Sequence, residues 1–274
     1  MKRLIFCIVS CLLSLFHFSS APKDSLTRII GGVKVKSGQF PYFVTVIHEA
    51  VQQRRYCGGS LVSEYHVLTA AHCVNDAPPT ELRISHGEAT SCEHRAVRRV
   101  KRVYVHPEYS RDTFRDDIAL VELARPYPVD ATSQWQLVLL CNESAPVEHD
   151  DYVLVMGIGQ TLKDKDFPPC SLLSVTLPII GHDECSRKWW EAEEKSIDNH
   201  TQLCAGAFYR GAAKGDSGGP MVVTSAGNNR HVQIALTSFG RNEPLSELPL
   251  QHLYPGIYTR VAPYCPWLEE VSSA

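Results

Sequence analysis

The chain has 274 residues, 44% of them hydrophobic and 21% charged, which is enough apolar material for a large core and rules out disorder on composition alone. Its formal charge of -3, from 27 Lys and Arg against 30 Asp and Glu, argues against nucleic acid as a partner.

The N-terminus reads as a secretory leader over residues 1–21: Lys2-Arg3, an apolar run from Leu4 to Phe18, then the small residues Ser19-Ser20-Ala21. That run falls short of the roughly 20 apolar residues a membrane span needs, and no other stretch reaches that length. A soluble, secreted, extracellular protein without a membrane partner is expected. Of the 10 cysteines, Cys7 and Cys11 lie in the leader, which leaves an even set for pairing in an oxidising compartment. Residues 22–28 form a short segment without cysteine. It ends at Arg28, before Ile29-Ile30-Gly31-Gly32, a pattern that is by itself compatible with an ordinary strand start.

From Phe40 onward short β-prone runs alternate with turn formers. They are Phe43 to Ile47, Leu61 to Leu68, Leu82 to Ile84, Val100 to Val105, Ala119 to Val121, Tyr152 to Met156, Val175 to Ile180, Met221 to Val223 and Gln233 to Thr237. This rhythm predicts an all-β barrel or sandwich. One helix is predicted near the C-terminus, from Pro263 to Val271, with Trp267 and Leu268 packing back on the body.

Three segments carry candidate chemistry. Thr69-Ala70-Ala71-His72-Cys73 follows one apolar run, and Asp116-Asp117-Ile118-Ala119 precedes another. Taken singly, the His reads as a structural residue and the Asp as a turn or cap. The third segment is Lys214-Gly215-Asp216-Ser217-Gly218-Gly219-Pro220. Alone it could be a surface turn, but its glycines would also let the Gly215 and Ser217 amides point at one oxygen. A serine hydroxyl is a weak nucleophile until a base adjoins it, and His72 is a candidate for that base.

With these motifs in view the chain resembles the trypsin/chymotrypsin family of serine proteases from Ile29 to about Leu268, which makes 29–274 a protease domain. The resemblance implies two six-stranded antiparallel β-barrels with a C-terminal helix and a cleft between the barrels. It implies that His72, Asp117 and Ser217 are catalytic, with Asp-Ile-Ala-Leu selecting Asp117 over its rival Asp116, and that the Gly215 and Ser217 amides form the oxyanion hole. It implies a zymogen cleaved after Arg28 by a trypsin-like protease, the new Ile29 amine pairing with Asp216. Ser238 would pair with substrate backbone. Gly211, Ala212, Phe239, Gly240 and Gly256 would line the pocket, whose uncharged floor at Gly211 favours a large apolar side chain, as in chymotrypsin-like members.

The resemblance also implies bridges Cys57–Cys73 and Cys185–Cys204 and, by position in that fold, Cys141–Cys265 and Cys92–Cys170. The chain departs from the family at Ala213, where many members carry a bridged cysteine, and at Ile158 and Phe239, where tryptophan is usual. The segment from Glu88 to Arg95 is too short for the family's calcium loop, so no metal or other cofactor is expected. Polypeptide substrates, a protein protease inhibitor and a monomeric state are the expected associations. Asn142-Glu143-Ser144 and Asn199-His200-Thr201 are glycosylation sequons. The basic run Arg95, Arg98, Arg99, Lys101 and Arg102 reads first as a solvated strand face and second as a polyanion site.

Overall fold

The computed structural model describes residues 29–49, 55–86, 96–129, 137–138, 140, 147–159, 171–224, 230–241 and 251–273. The leader, Arg28, Cys92, Arg95, Cys141, Cys170, the Asn142 sequon, the 88–94 segment, Glu243 and Glu247 lie outside the described residues.

The first barrel closes in the order β2-β3-β4-β7-β6-β5, all antiparallel. Its strands are β2 (Phe43–His48), β3 (Arg55–Leu61), β4 (His66–Thr69), β5 (Leu82–Ser85), β6 (Val97–Val105) and β7 (Ala119–Leu123). The predicted run from Leu61 to Leu68 is two strands. Val62 N–H bonds to His66 O, so the chain reverses there, and Ser60 and Leu61 then face Leu68 and Val67 across the pair.

The second barrel runs β8-β9-β10-β13-β12-β11, and β11 pairs with β8 to close it. These strands are β8 (Tyr152–Gly157), β9 (Leu173–Ile180), β10 (Gln202–Ala205), β11 (Pro220–Thr224), β12 (His231–Phe239) and β13 (Gly256–Arg260), with the short β1 (Val33–Lys34) added outside β9. Two closed sheets leave no long free edge to template aggregation. Each barrel has its own core. Leu61, Val67, Leu82 and Val121 centre the first, and Val155, Leu177, Met221 and Tyr258 the second.

A third apolar cluster joins the barrels. Leu68, Ile118 and Leu120 from the first meet Leu236 and Val261 from the second, capped by Tyr264 and Leu268. Tyr264 closes a 3-10 turn (Ala262–Tyr264) that leads into the C-terminal helix α3 (Cys265–Ser272), close to the predicted span. Its hydroxyl donates to Asp116 Oδ1 at 2.7 Å, which anchors the segment carrying Asp117. Two further helices lie outside the sequence expectation: the single turn α1 (Ala71–Val74), which carries His72, and the 12-residue α2 (His182–Glu193).

Candidate active site

His72 and Asp117 meet at the seam between the barrels. Asp117 is fully buried, and Asp116 before it adopts φ 53°, a left-handed kink that separates the two carboxylates: one toward Tyr264, the other toward His72. The Asp117 Oδ1 atom accepts the His72 backbone N–H at 2.9 Å, while Oδ2 lies 2.7 Å from His72 Nδ1. One carboxylate thus satisfies an unpaired amide in the first turn of α1 and also fixes the imidazole. Asp117 Oδ2 accepts a third hydrogen bond, 2.5 Å, from Ser238 Oγ. Ser238 sits where the register of β12 on β13 shifts between Thr237 and Phe239, a bulge of the kind that re-aims a side chain. With Nδ1 held by a carboxylate, Nε2 is the ring nitrogen left to take a proton.

The Ser217 turn is tied to both parts of this arrangement. The Ser217 carbonyl accepts from Gly58 N–H at 2.7 Å, and Gly58 adjoins Cys57, which is bridged to Cys73 beside His72. On its other side Gly218 N–H donates to Thr237 O at 2.7 Å, next to Ser238. Gly218 has φ 75°, and a Cβ there would strike Thr69 Oγ1 and Gly58 O, so only glycine fits between β3 and the turn. Gly215 has φ 99°, a backbone conformation that also favours glycine. Among the described residues neither the Gly215 nor the Ser217 amide is used in a hydrogen bond of the fold. Both donors are available to a bound group.

Asp216 points the other way, into the second barrel. It is fully buried, its carboxylate accepts from Gly159 N–H and Ala213 N–H at 2.7 Å each, and burial pushes its pKa up to about 7. Among the described residues no cation faces it. The Ile29 side chain is itself fully buried in the second core, and Ile30 exchanges both backbone hydrogen bonds with Gly211 at 3.0 and 3.1 Å.

Gly211 is buried, as are Ser238 and Gly256; Ala212 and Phe239 are half-buried, and Gly240 is exposed. The residue that sequence reasoning missed is Gln251. Its carboxamide occupies the space a side chain at position 211 would take, and its Nε2 donates to Ala212 O. Because that carbonyl can only accept, the amide's orientation is fixed, and Gln251 Oε1 is left buried with no hydrogen-bond partner. The space beside Gly211 is therefore neutral but polar. No signal in the sequence marks Gln251, since the contact crosses 40 residues.

Cys57–Cys73 and Cys185–Cys204 are bridged, as the resemblance implied. Cys265 is also disulfide-bonded; its expected partner Cys141 and the pair Cys92–Cys170 lie outside the described residues. Cys57, His72 and Cys73 cluster closely enough to suggest a metal site, but two of the three sulfur and nitrogen donors are consumed in the disulfide and offer no thiolate. In the basic run, Arg98 lies over the Tyr127 ring and donates to Pro126 O, and Lys101 pairs with Glu122, in keeping with a strand face bound locally.

Comparison with known proteins agrees with this geometry. Serine protease 28 of Mus musculus is 28% identical over 285 residues, an alignment spanning 98% of this chain and 99% of that protein. The crystal structure of a scabies mite inactivated protease paralogue, S-I1, superposes with a TM-score of 0.73 at 25% identity, covering 88% of this chain and 98% of the other. The family model Trypsin matches residues 29–268, and with that match the chain belongs to the trypsin family.

Proposed function

We propose that the protein is a secreted serine endopeptidase made as a zymogen. The observation that carries this reading is the two-point hold of Asp117 on His72, with the Ser217 turn hydrogen-bonded to the strands beside it. His72 takes the Ser217 proton as the hydroxyl attacks a peptide carbonyl. Asp117 keeps the imidazole in the right tautomer and stabilises its charged form, and the Gly215 and Ser217 amides bind the oxyanion. Water then hydrolyses the acyl-enzyme.

Activation follows cleavage after Arg28 by a trypsin-like protease. Ile29 adopts φ 43°, a costly conformation for a β-branched residue that cleavage of the preceding bond would let it leave. The freed ammonium pairs with the buried Asp216 carboxylate, whose donors among the described residues are both backbone amides. Docking at Asp216 holds the adjacent Gly215 in oxyanion geometry. The neutral floor of Gly211 and Gln251 supports a preference for large apolar side chains over basic ones, since it offers a buried cation no counter-charge. Two disulfides among the described residues support export, and exposed Asn199 is accessible for a glycan. Among those residues no helix is long and apolar enough to cross a membrane. We take the enzyme as a monomer acting on polypeptides and open to protein inhibitors.

A second reading is a non-catalytic homologue that binds through the same cleft, favoured by the inactivated paralogue among its structural neighbours. A fluorophosphonate probe separates the two. Labelling of Ser217 in Arg28-cleaved protein supports the enzyme, and failure to label correctly processed protein supports the binding module.

A further inference from the structure

Beside His72 the cleft carries an aromatic shelf with a cation on it. Phe114 meets the His72 ring edge-on at 5.6 Å between centroids, Phe239 lies 5.3 Å from Phe114, and Trp189 packs edge-on against Phe239 at 5.4 Å. Lys195 Nζ stands 3.9 Å from the Phe239 centroid and 5.1 Å from that of Phe114. Its position is built rather than incidental. Helix α2 is fixed by the Cys185–Cys204 bridge and by Trp189 Nε1 donating to Pro255 O at 3.1 Å. It ends at Glu193, and Glu194 adopts φ 52°, which turns the chain back so that Lys195 crosses the rings.

The ammonium has no ion pair among the described residues. Among the described residues the carboxylate acting on it is Glu193, which pairs with Arg241 at 3.5 Å. Arg241 in turn lies over the Tyr254 ring. Among the described residues one carboxylate and two cations thus stand beside the reactive centre, partly shielded from water. An aromatic shelf without Lys195 would attract apolar or cationic groups; with the ammonium already on the rings, a second cation is repelled.

We propose that Lys195 is a specificity-determining residue, forming with Phe114 and Phe239 a subsite for an acidic side chain of the substrate on the N-terminal side of the cleaved bond. This rests on the proposed function and on the expectation that substrate backbone pairs at Ser238, next to Phe239. A Glu or Asp side chain reaching the shelf pairs with the ammonium where water screens it less than at an open surface.

The test uses Arg28-cleaved protein and matched peptides that carry Glu, Gln or Lys at the second, third or fourth residue before the cleaved bond. Both kcat/KM and binding by fluorescence anisotropy are measured. At one of those positions Glu is expected to exceed Gln by about three- to tenfold, with Lys poorest, and the advantage shrinks in 1 M salt. Lys195→Met removes the Glu-to-Gln ratio, and Lys195→Arg retains it. An equal Glu-to-Gln ratio in the parent and in Lys195→Met, or a preference for Lys, overturns the subsite. If nothing is cleaved and Ser217 resists fluorophosphonate, the catalytic reading fails instead, while the anisotropy ratios still judge Lys195.

Discussion

Asp117 holds His72 twice, through the backbone N–H at 2.9 Å and through Nδ1 at 2.7 Å. Position and tautomer of the ring are therefore set by one buried carboxylate. An amide in its place would keep the shape but present a donor where the ring needs an acceptor. Asp117→Asn is expected to fold normally and to lower kcat by about 10⁴-fold. Ser238→Ala, which removes only the supporting hydrogen bond, should cost far less. Near-parent activity in Asp117→Asn would contradict the assignment.

Stability of the uncleaved protein should fall as pH rises. Asp216 is fully buried and its pKa is raised by burial from 3.8 to about 7. The folded state therefore holds this proton more tightly than the unfolded chain does. The penalty is absent below about pH 4, grows between there and pH 7, and is constant above, reaching on the order of 4 kcal/mol. Urea unfolding of an Arg28→Gln form at pH 5 and pH 8 should show this loss, and Asp216→Asn in the same background should flatten it. After cleavage at Arg28 the ammonium of Ile29 offsets the penalty, so the processed protein should be more stable at pH 8 than the uncleaved one. Parallel pH profiles for the parent and D216N would contradict the cost of ionising buried Asp216.

Gly211 and Gln251 should behave as a coupled pair. A Cβ at position 211 would overlap the Gln251 carboxamide, so Gly211→Ala is expected to cost about 1–3 kcal/mol in stability. In Gln251→Ala the same substitution finds space and should cost much less. A double-mutant cycle in urea measures the coupling, expected near 1 kcal/mol or more. Additive effects would show that Gln251 does not form the floor.

Peptide mapping without reduction should recover Cys57 with Cys73, Cys185 with Cys204, and Cys265 with Cys141, leaving Cys92 with Cys170. Removing the Cys185–Cys204 bridge is expected to cost about 2–4 kcal/mol. It should also weaken any preference for acidic peptides, because that bridge anchors the helix leading to Lys195.

Much of this was legible in the sequence, for reasons that differ by element. The barrels showed because strands such as Phe43–His48 and Tyr152–Gly157 carry runs rich in apolar and β-prone residues. Strands β10 and β13 were missed because they are four and five residues long and include Gln202, Gly256 and Arg260. Helix α2 escaped because only Cys185 and Trp189 on it are buried, a stripe too narrow to produce an apolar period. His72, Asp117 and Ser217 stood out because each lies in a short local motif. Gln251 and Lys195 did not, since their roles arise from contacts between segments far apart in sequence and no local pattern encodes such meetings.

Ser217 should become a nucleophile through His72 once Arg28 is cleaved. The most direct measurement is the intact and peptide mass of the processed protein, quenched within seconds of mixing with an activated ester. One acyl group is expected on the peptide carrying Ser217, absent from the uncleaved protein and from His72→Ala. An unmodified Ser217 in the processed protein, or acylation that persists without His72, would contradict it.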